Sequence, residues 1–512
     1  MPAMMTAVPL TAERPARGLA PLLDRLVLAA AVLAVLVYLA VALLRMPYPF
    51  DLEWVEGGML AQVRRVLHGQ PLYAAPSVSY VPFDYTPLYF LVAAFPARFM
   101  GEGLAALRLT SLAASLGCLA LVALIVRREG GSLSAGMLAA GLFAATYRLS
   151  GAWLDLARPD SLFLVLVLAG LWAYRVAPTG RRSTTLGAAI AGAIFALAFL
   201  AKQTALLVAL PIAIHAALDD RRRAVAFAGT LAVLIGASTL LLDRGSGGWY
   251  HYYVFGVAMS HRIDRTLVTR FWTDDLLRPL AIAALVGASV FALPRRAVAS
   301  GRGYLAALSA GMLGSAWWLR LYRGSYDNAL LTSCAAVAIL CALGWDAVRA
   351  GGTPASAGGT HVERGLARLL GWALLAQFAL LAYNPLAQLP ADTDRAAGER
   401  LVANLRAAPG DVLAPCHPEF AVRAGKAPHF HEVALTDVVA GGHGAVEAGL
   451  AGELDEALRA HRWAAVVLDQ RDWLWSEVSA HYRPAWPALK DGDAFWTRTG
   501  MITRPDTVLV PR

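Results

Sequence analysis

The stretch LVLAAAVLAVLVYLAVALLRMPYPFDLEWVEGG, residues 26–58, decides the fold, because an apolar run in it passes directly into an acidic segment. The run Leu26–Leu44 carries no charged side chain and is about long enough to cross the roughly 30 Å hydrocarbon core of a bilayer. It is longer than the apolar core of a usual signal peptide, so we interpret it as a retained first helix. Asp51, Glu53 and Glu56 follow within six positions. This junction predicts a membrane protein with carboxylates at the bilayer surface.

The rest of the chain has the same apolar character. Of its 512 residues 58% are hydrophobic and only 16% charged, with a mean hydropathy of +0.52, which is too apolar for a soluble enzyme of this length. We predict a mainly α, polytopic membrane protein with about eleven transmembrane helices. The ten apolar segments after the first are Leu104–Val126, Leu133–Leu149, Ser161–Tyr174, Leu186–Leu200, Thr204–Leu218, Ala224–Leu242, Leu276–Leu293, Tyr304–Leu319, Tyr326–Trp345 and Leu366–Tyr383.

Arginine clusters between these segments predict the orientation of the chain. When the connections are numbered alternately, all the clusters fall on one side, which the positive-inside rule makes cytoplasmic. They are Arg14, Arg17 and Arg25; Arg127 and Arg128; Arg181 and Arg182; Arg221 to Arg223; Arg295, Arg296 and Arg302; and Arg349 and Arg364. The predicted location is therefore the cytoplasmic (inner) membrane, with multiple passes. The net charge of +9 arises largely from these clusters, and without a basic stripe or a recognition motif it predicts no nucleic-acid partner.

The orientation divides the chain into predicted regions. Residues 1–25 form a cytoplasmic tail, residues 26–385 a transmembrane domain, and residues 386–512 a small extracytoplasmic α/β domain. In this last region RAAGERLVANLRAA and LDEALRAHR are predicted helices, whereas DVLAPC and AAVVLD are predicted strands. The glycine-rich segment Gly351–His361 is a predicted cytoplasmic linker.

The loop after the first helix, residues 45–103 (hereafter the first loop), is predicted to face outward. Its segment Glu56–Leu67 is predicted to be an amphipathic helix lying on the surface, with an apolar face of Met59, Leu60, Val63 and Leu67. The segment Tyr85–Gly101 is apolar, but counting it as a span would place Arg127 and Arg128 outside. We therefore interpret it as an interfacial helix, in agreement with its aromatic residues and its internal Pro96.

The turn between two short apolar segments, Leu186–Leu200 and Thr204–Leu218, contains Lys202 and Gln203. Each segment has about 15 residues, fewer than the roughly 20 needed to cross a bilayer. A lysine facing lipid is costly, so the turn is predicted to face protein or a water-filled cavity. Lys202 thereby becomes a candidate site residue.

The three carboxylates of the first loop have two interpretations of about equal weight by position alone. They are either an ordinary solvated loop or a catalytic group, because a positioned carboxylate can remove the proton of an attacking hydroxyl. Their neighbours favour a site, since Gly57 and Gly58 allow close approach of the backbone and Trp54 offers a stacking face. Asp51, Glu53 and Glu56 all remain candidates for the base.

Further candidate residues lie in the other outward segments. In DLARPDS, Arg158 and Asp160 form either a helix cap with a local ion pair or part of a site. The aromatic loop that ends in His261 and Arg262 is explained equally well by interfacial anchoring or by phosphate contact. Two outward arginines, Arg320 and Arg323, contradict the usual charge bias and suggest function.

Cysteine and histidine usage points to neither a disulfide framework nor a metal site. Three of the four cysteines lie in apolar segments. In the C-terminal region Cys416, His417, His429 and His431 match no standard zinc spacing and are interpreted as surface or strand-edge residues. No cofactor and no metal is predicted.

The chain resembles bacterial membrane glycosyltransferases of the C superfamily (GT-C), in the group that includes protein mannosyltransferases and aminoarabinose transferases. The resemblance covers about the first 390 residues. It rests on a series of segments in order, namely DLEWVEGG, GQPLY, YTPLYF, ARPDS, FLAKQTA, SHR and GSYDN.

This resemblance implies a GT-C fold and a function. The chain would transfer a sugar from a polyprenyl-phosphate donor to a glycan, lipid or protein acceptor at the outer face of the membrane. An acid of the first loop would be the base, and Glu53 fits that position best. The group usually has an Asp-Glu pair there, whereas this chain has Glu53-Trp54 flanked by Asp51 and Glu56, so the choice among the three acids stays open.

The resemblance implies basic residues at the donor phosphate, with Lys202 as the basic residue of the hairpin, and the predicted substrate-binding residues come from the outward segments described above. They are Tyr85, Arg158, Asp160, Lys202, Gln203, His261, Arg262, Arg320 and Arg323. Ser260 stands where relatives often have an acid before the histidine. The alternative function is a transporter or flippase of lipid-linked sugars, but the paired repeats and broken helices common in transporters are not evident in the sequence.

Overall fold

The structure, a computed structural model, describes residues 19–176, 181–292, 301–351, 361–441, 444–470, 472–490, 492 and 494–512. Four arginines of the orientation pattern, Arg14, Arg17, Arg295 and Arg296, and most of the predicted linker lie outside these residues. All eleven apolar segments are helical over most of their described residues, because long runs rich in alanine and leucine satisfy their backbone hydrogen bonds internally.

The α-helices follow one another along the whole chain. They are α1 Leu19–Arg45, α2 Glu56–Leu67, α3 Leu88–Met100, α4 Leu104–Arg128, α5 Leu133–Ala145, α6 Asp160–Val176, α7 Arg181–Ala201, α8 Ala205–Asp219, α9 Arg221–Gly245, α10 Trp249–His251, α11 Ala258–Ser260, α12 Leu267–Arg270, α13 Arg278–Ala292, α14 Arg302–Arg320, α15 Leu331–Gly351, α16 His361–Leu380, α17 Asp392–Arg406, α18 Glu419–Arg423, α19 Glu432–Ala440, α20 Ala445–Arg459 and α21 Trp475–His481. Wider π-helical turns at Tyr252–Val257 and Phe271–Leu277 connect α10 to α11 and α12 to α13.

The helices that are both long and apolar enough to cross a membrane are fewer than the eleven predicted spans. Among the described residues, six helices are long and apolar enough to cross a membrane, or seven if the bent pair Gly365–Leu380 and Pro385–Arg406 counts as one span. Other predicted spans are helical but short, since α5 has 13 residues and α8 has 15. The chain after α5 does not continue in lipid, because residues 146–159 fold into the protein and are mostly buried there.

Two ion pairs each join a pair of helix ends that are predicted to be cytoplasmic. Asp24 near the start of α1 binds Arg349 near the end of α15 at 2.6 Å. Glu129 after α4 binds Arg175 near the end of α6 at 2.8 Å. These pairs agree with the one-sided arginine pattern.

The first loop forms two helices and is largely enclosed. The helix α2 has the predicted bounds Glu56–Leu67, but it does not lie on the surface, because Glu56, Gly57, Gly58 and Gln62 are buried along with its apolar face. A Cβ atom on Gly58 would come within 2.6 Å of the Phe83 ring, so the close approach of α2 to its neighbours requires glycine. The helix α3 exposes Phe95 and Phe99, as expected of a helix with an apolar outer face.

The C-terminal region forms a four-stranded sheet with flanking helices. Its strands β1 Val412–Leu413, β2 Ala465–Asp469, β3 Tyr482–Pro487 and β4 Pro505–Pro511 lie in the order β1-β2-β4-β3. The strands β1 and β2 are parallel, and the other pairs are antiparallel. The predicted helices and strands of this region are present as α17, α20, β1 and β2.

The C-terminal domain covers the first loop. The Arg498 backbone N–H donates to the Leu52 carbonyl at 2.7 Å, and a His431 ring nitrogen lies 2.9 Å from the Trp54 carbonyl oxygen. A ring nitrogen of His417 lies 2.7 Å from an Asp51 carboxylate oxygen. The acidic segment is therefore enclosed between the helical bundle and the C-terminal domain.

Candidate active site

A cavity of about 590 Å³ lies where the first loop, the α5–α6 connection, the α7–α8 turn and the C-terminal domain meet. Seven of the predicted site residues line it, and they come from five separate segments of the chain. They are Glu53, Tyr85, Arg158, Lys202, Gln203, His261 and Arg323. The cavity thus gathers one carboxylate of the opening stretch with several cations.

Glu53 is the carboxylate of the opening stretch that lines this cavity. Its Oε2 accepts hydrogen bonds from the Val55 backbone N–H at 3.2 Å and from Arg158 at 3.1 Å. Its Oε1 is buried and has no hydrogen-bond partner in the described part of the chain. Burial raises the pKa of Glu53 to about 7, and the positive charge of Arg158 opposes that rise. Glu53 is therefore suited to exchange a proton near neutral pH.

Gly500, in the C-terminal domain, packs closely against the Glu53 side chain. Its φ of +72° favours glycine, and a Cβ atom there would lie 2.9 Å from both the Glu53 Cγ and Oε1 atoms. The turn around Gly500 thus limits the space beside the carboxylate.

Arg158 is held on several sides. Its Nη2 donates to the Tyr85 hydroxyl at 2.7 Å, while its guanidinium carbon lies 5.5 Å from the ring centres of both Tyr85 and Trp153. The local ion pair that the sequence suggested for Arg158 and Asp160 is replaced by an ion pair with Glu53, 105 residues earlier in the chain.

Lys202 is buried at the α7–α8 turn, facing protein as its position between two short helices predicted. Its ammonium lies 2.7 Å from Asp160 Oδ1, which also accepts from the Asn328 side chain at 3.0 Å. Gln203 donates to the backbone carbonyls of Asp84 at 2.7 Å and Val254 at 3.1 Å, which fixes the turn against the first loop. Asp160 itself does not line the cavity but orients the lysine that does.

His261 also lines the cavity, and it pairs with the C-terminal domain. Its Nε2 is 3.2 Å from Asp437 Oδ1. The hydrogen bond to Asp437 raises the pKa of His261 to about 9, with Asp84 adding to the effect and burial opposing it. Asp437 of α19 thus provides an acid beside His261, whereas the residue before His261 in the sequence is Ser260. The sequence analysis missed Asp437 and Asp84, because nothing local connects either residue to His261.

Asp51 and Glu56 lie behind the cavity. Glu56 accepts two hydrogen bonds from Arg108, at 3.0 and 2.6 Å, and two from the backbone N–H groups of Leu52 and Ala157, each at 2.7 Å. Burial raises its pKa, but the Arg108 charge and these hydrogen bonds outweigh that effect and lower the pKa below its ordinary value. Arg108 also escaped the sequence analysis, since it stands within an apolar segment.

His417 connects Asp51 to the C-terminal sheet. Its other ring nitrogen lies 3.1 Å from Asp469 at the end of β2. Burial lowers the pKa of His417, but the two carboxylates outweigh it and raise the pKa to about 10. The interpretation of His417, His429, His431 and Cys416 as surface or strand-edge residues was wrong, because all four are buried.

Cys416 lies beside two carboxyl groups. Ligand atoms of Cys416, Glu432 and Asp472 lie within 4.8 Å of one another. Cys416 donates to Glu432 at 2.8 Å, and the Glu432 carboxylate in turn accepts from the Trp473 backbone N–H at 2.5 Å. This cluster holds the start of α19 against the segment that carries Trp473 to the cavity.

Two predicted arginines lie off the cavity. Arg262 is exposed and does not line it. Arg320 binds Asp275 at 2.8 Å and lies 3.7 Å from Asp327. Its position against the usual charge bias is thus explained by local ion pairs.

Comparisons with known proteins agree with the sequence resemblance. Residues 84–242 match the family described as dolichyl-phosphate-mannose-protein mannosyltransferase. No curated protein sequence matches the chain significantly.

Solved structures share the fold at low sequence identity. ArnT from Cupriavidus metallidurans bound to undecaprenyl phosphate is 12% identical with a TM-score of 0.58, over 94% of this chain and 97% of that one. The archaeal oligosaccharyltransferase AglB from Archaeoglobus fulgidus, in complex with an inhibitory peptide and a dolichol-phosphate, is 12% identical with a TM-score of 0.55, over 86% and 69%. The arabinofuranosyltransferase AftD from Mycobacteria is 14% identical with a TM-score of 0.51, over 95% and 40%. The chain therefore shares the fold of these three solved structures over most of its length, and its family match is confined to residues 84–242.

Proposed function

We propose that this enzyme transfers a sugar from a polyprenyl-phosphate donor to a hydroxyl group of a glycan, lipid or protein acceptor, with Glu53 as the base. The observation that carries the proposal is the buried Glu53, whose pKa is about 7 and whose Oε1 has no partner among the described residues, on the wall of the cavity. Structural relatives support the class of donor, since ArnT is bound to undecaprenyl phosphate and AglB to a dolichol-phosphate.

The proposed reaction is a single displacement. Glu53 takes the proton of the acceptor hydroxyl while that oxygen attacks the anomeric carbon of the donor sugar. The bond between the anomeric carbon and the phosphate oxygen breaks, and the electron pair leaves with the polyprenyl phosphate. The products are the glycosylated acceptor and polyprenyl phosphate, with inverted configuration at the anomeric carbon.

The leaving phosphate gains negative charge and requires positive charge or hydrogen-bond donors. Three cationic groups on the cavity wall, Lys202, His261 and Arg323, supply this charge in the proposal. Arg158 has a different role, because its ion pair with Glu53 keeps the base partly ionised in spite of its burial.

The orientation belongs to the same proposal. The one-sided arginine clusters support an orientation in which the cavity and the C-terminal domain lie outside the cytoplasm. Reporter fusions after Arg128, Arg223 and Arg512 test this arrangement. We expect a reporter that is active only outside the cytoplasm to work after Arg512 alone, and activity after Arg128 or Arg223 would contradict it.

The transferase proposal is tested in cells with and without the protein, by mass spectrometry of polyprenyl-phosphate sugars and envelope glycans. A transferase consumes the donor, so its loss should raise the level of one polyprenyl-phosphate sugar and remove that sugar from a glycan. If the protein is a flippase instead, the purified protein will not release polyprenyl phosphate from the same sugar lipid. An unchanged lipid pool and glycan profile would argue against both.

A further inference from the structure

Five buried polar atoms of residues on the cavity wall have no hydrogen-bond partner in the described part of the chain; one is Thr204 Oγ1, on a half-buried residue, and the other four belong to fully buried residues. These four are Glu53 Oε1, Trp54 Nε1, Trp153 Nε1 and Arg158 Nε. The four residues are between 0% and 6% exposed. A buried polar group without a partner is costly, and most such groups in native proteins are paired. Their concentration around one cavity favours a ligand that supplies the missing partners once these side chains turn toward it.

The chemistry of these four atoms restricts the ligand. Three of them are N–H donors that need oxygen acceptors, and the fourth is a carboxylate oxygen that accepts a proton or a hydrogen bond. The surrounding wall is aromatic, with Tyr85, Tyr326 and Trp473 beside the two indoles. A ring with several oxygen substituents and an apolar face satisfies both the donors and the aromatic surface, as a sugar does.

The backbone that carries Trp153 is unusual. Ala152 has a φ of +55°, a left-handed conformation that a residue with a side chain rarely adopts. Arg45 stabilises it by donating to the Ala152 carbonyl at 2.6 Å and to both Asp155 carboxylate oxygens. Such strain persists only where the surrounding structure imposes it, and it is common at binding sites.

We propose that the indole N–H groups of Trp54 and Trp153 bind the sugar ring of the lipid-linked donor. This inference rests on the function proposed above and specifies where its donor sugar lies. The segment from Trp153 to Asp160 connects the two parts of the donor, because Asp160 orients Lys202 at the proposed phosphate position and Arg158 contacts both Glu53 and the Trp153 ring. The sugar next to the phosphate thus lies against the two indoles.

The experiment compares two ligands on the purified full-length protein in nanodiscs by native mass spectrometry. One probe is undecaprenyl phosphate. The other is the sugar lipid that the parent protein binds most tightly among undecaprenyl-phosphate glucose, mannose, galactose and arabinose. Trp54→Phe and Trp153→Phe keep an aromatic ring and remove the N–H. We expect each to weaken binding of the sugar lipid by about 3- to 10-fold, the effect of one hydrogen bond, and to leave binding of undecaprenyl phosphate unchanged.

Trp463→Phe is the matched control. The Trp463 N–H is likewise buried without a partner within the described residues, but Trp463 does not line the cavity. This variant should bind both lipids as the parent does. An equal loss of both lipids in the Trp54 and Trp153 variants, or no loss of either, would overturn the inference.

A second measurement does not depend on the variants. On the parent protein, at least one monodeoxy analogue of the sugar lipid should bind about 3- to 10-fold more weakly, and full affinity for every monodeoxy analogue would also overturn the inference. If the parent protein fails to bind undecaprenyl phosphate and all the sugar lipids, the proposed function itself fails, and the result is distinct from a failure of the indole site.

Discussion

Two glutamates that are three positions apart, Glu53 and Glu56, lie in opposite surroundings. Glu56 receives four hydrogen bonds, two of them from the buried Arg108, and its pKa is lowered. Glu53 receives two longer ones and keeps one oxygen without a partner among the described residues, and its pKa is raised to about 7. Both side chains are fully buried, so burial alone does not distinguish them.

The difference shows how one acidic segment serves two purposes. Removal of a fully paired carboxylate destabilises the fold, because the charge of its partner is then left buried without a counter-ion. A buried carboxylate with an incomplete set of partners retains the capacity to accept a proton. The first loop thus contains a structural glutamate on its buried side and a candidate base on its cavity side.

The largest expected effect comes from Glu53→Gln. This variant keeps the size of the side chain and removes its ability to accept a proton. We expect the rate of transfer to fall by about 10² to 10⁴ fold, with binding of undecaprenyl phosphate largely retained. The rate is measured as release of polyprenyl phosphate from the sugar lipid by purified protein. Transfer at the parent rate would end the assignment of Glu53 as the base.

The reverse effect is expected of Glu56→Gln. The substitution leaves the Arg108 charge buried without its counter-ion, a change that typically costs about 3 to 5 kcal/mol. We expect a lower thermal unfolding midpoint in detergent, and a smaller decrease for Glu53→Gln, because Arg158 makes one longer contact with Glu53 and also donates to Tyr85. If Glu56→Gln unfolds at the same temperature as the parent but loses transfer activity, Glu56 and not Glu53 is the base.

Lys202→Ala tests how much the Lys202 charge contributes to binding of the donor phosphate. One charge-assisted contact contributes about 1.5 to 3 kcal/mol, so affinity for undecaprenyl phosphate should fall by roughly 10- to 150-fold. Arg265→Ala, which removes an exposed cation of the loop after α11, is the matched control and should bind as the parent does. Equal affinities for the two variants would exclude Lys202 from phosphate binding.

The pH dependence of the rate provides a smaller test. Glu53 acts as a base only when it is ionised, so transfer should fall about tenfold for each pH unit below 7 and level off above it. The raised pKa has the opposite effect on stability, because the folded state holds a proton that the unfolded state releases. Stability relative to Glu53→Gln should therefore decrease as pH rises through 7. A flat rate between pH 5 and 8 would contradict the assignment.

The smallest effect is expected of Asp437→Asn, which replaces by a neutral amide the carboxylate whose hydrogen bond chiefly raises the pKa of His261 to about 9. Both side chains are partly exposed, so we expect affinity for undecaprenyl phosphate to fall only about two- to fivefold. The loss of affinity should be larger at pH 8 than at pH 6. Once its pKa is lower, His261 keeps more of its positive charge at pH 6 than at pH 8. A loss independent of pH would indicate a structural role for the pair.

Several features of the fold were predictable from the sequence because they depend on local patterns. Apolar runs of sufficient length predicted the helices, and helical periodicity predicted α2 with its observed bounds. Seven of the twelve candidate residues line one cavity, because they stand in the loops that leave the same end of the bundle. The number of spans was less predictable, since apolar composition does not reveal where a helix such as α5 ends inside the protein.

The sequence by itself determined that this protein is helical and apolar, with an acidic first loop and a C-terminal α/β domain. It left the choice among three acids open, although Glu53 fitted the position of the base best. Only the tertiary structure distinguished Glu53 from Glu56, by placing Arg108 beside one and an open cavity beside the other. It also paired His261 with Asp437, 176 residues away. Periodicity and chain length act within one segment, whereas the pKa and the partners of a buried charge depend on groups that only folding brings together.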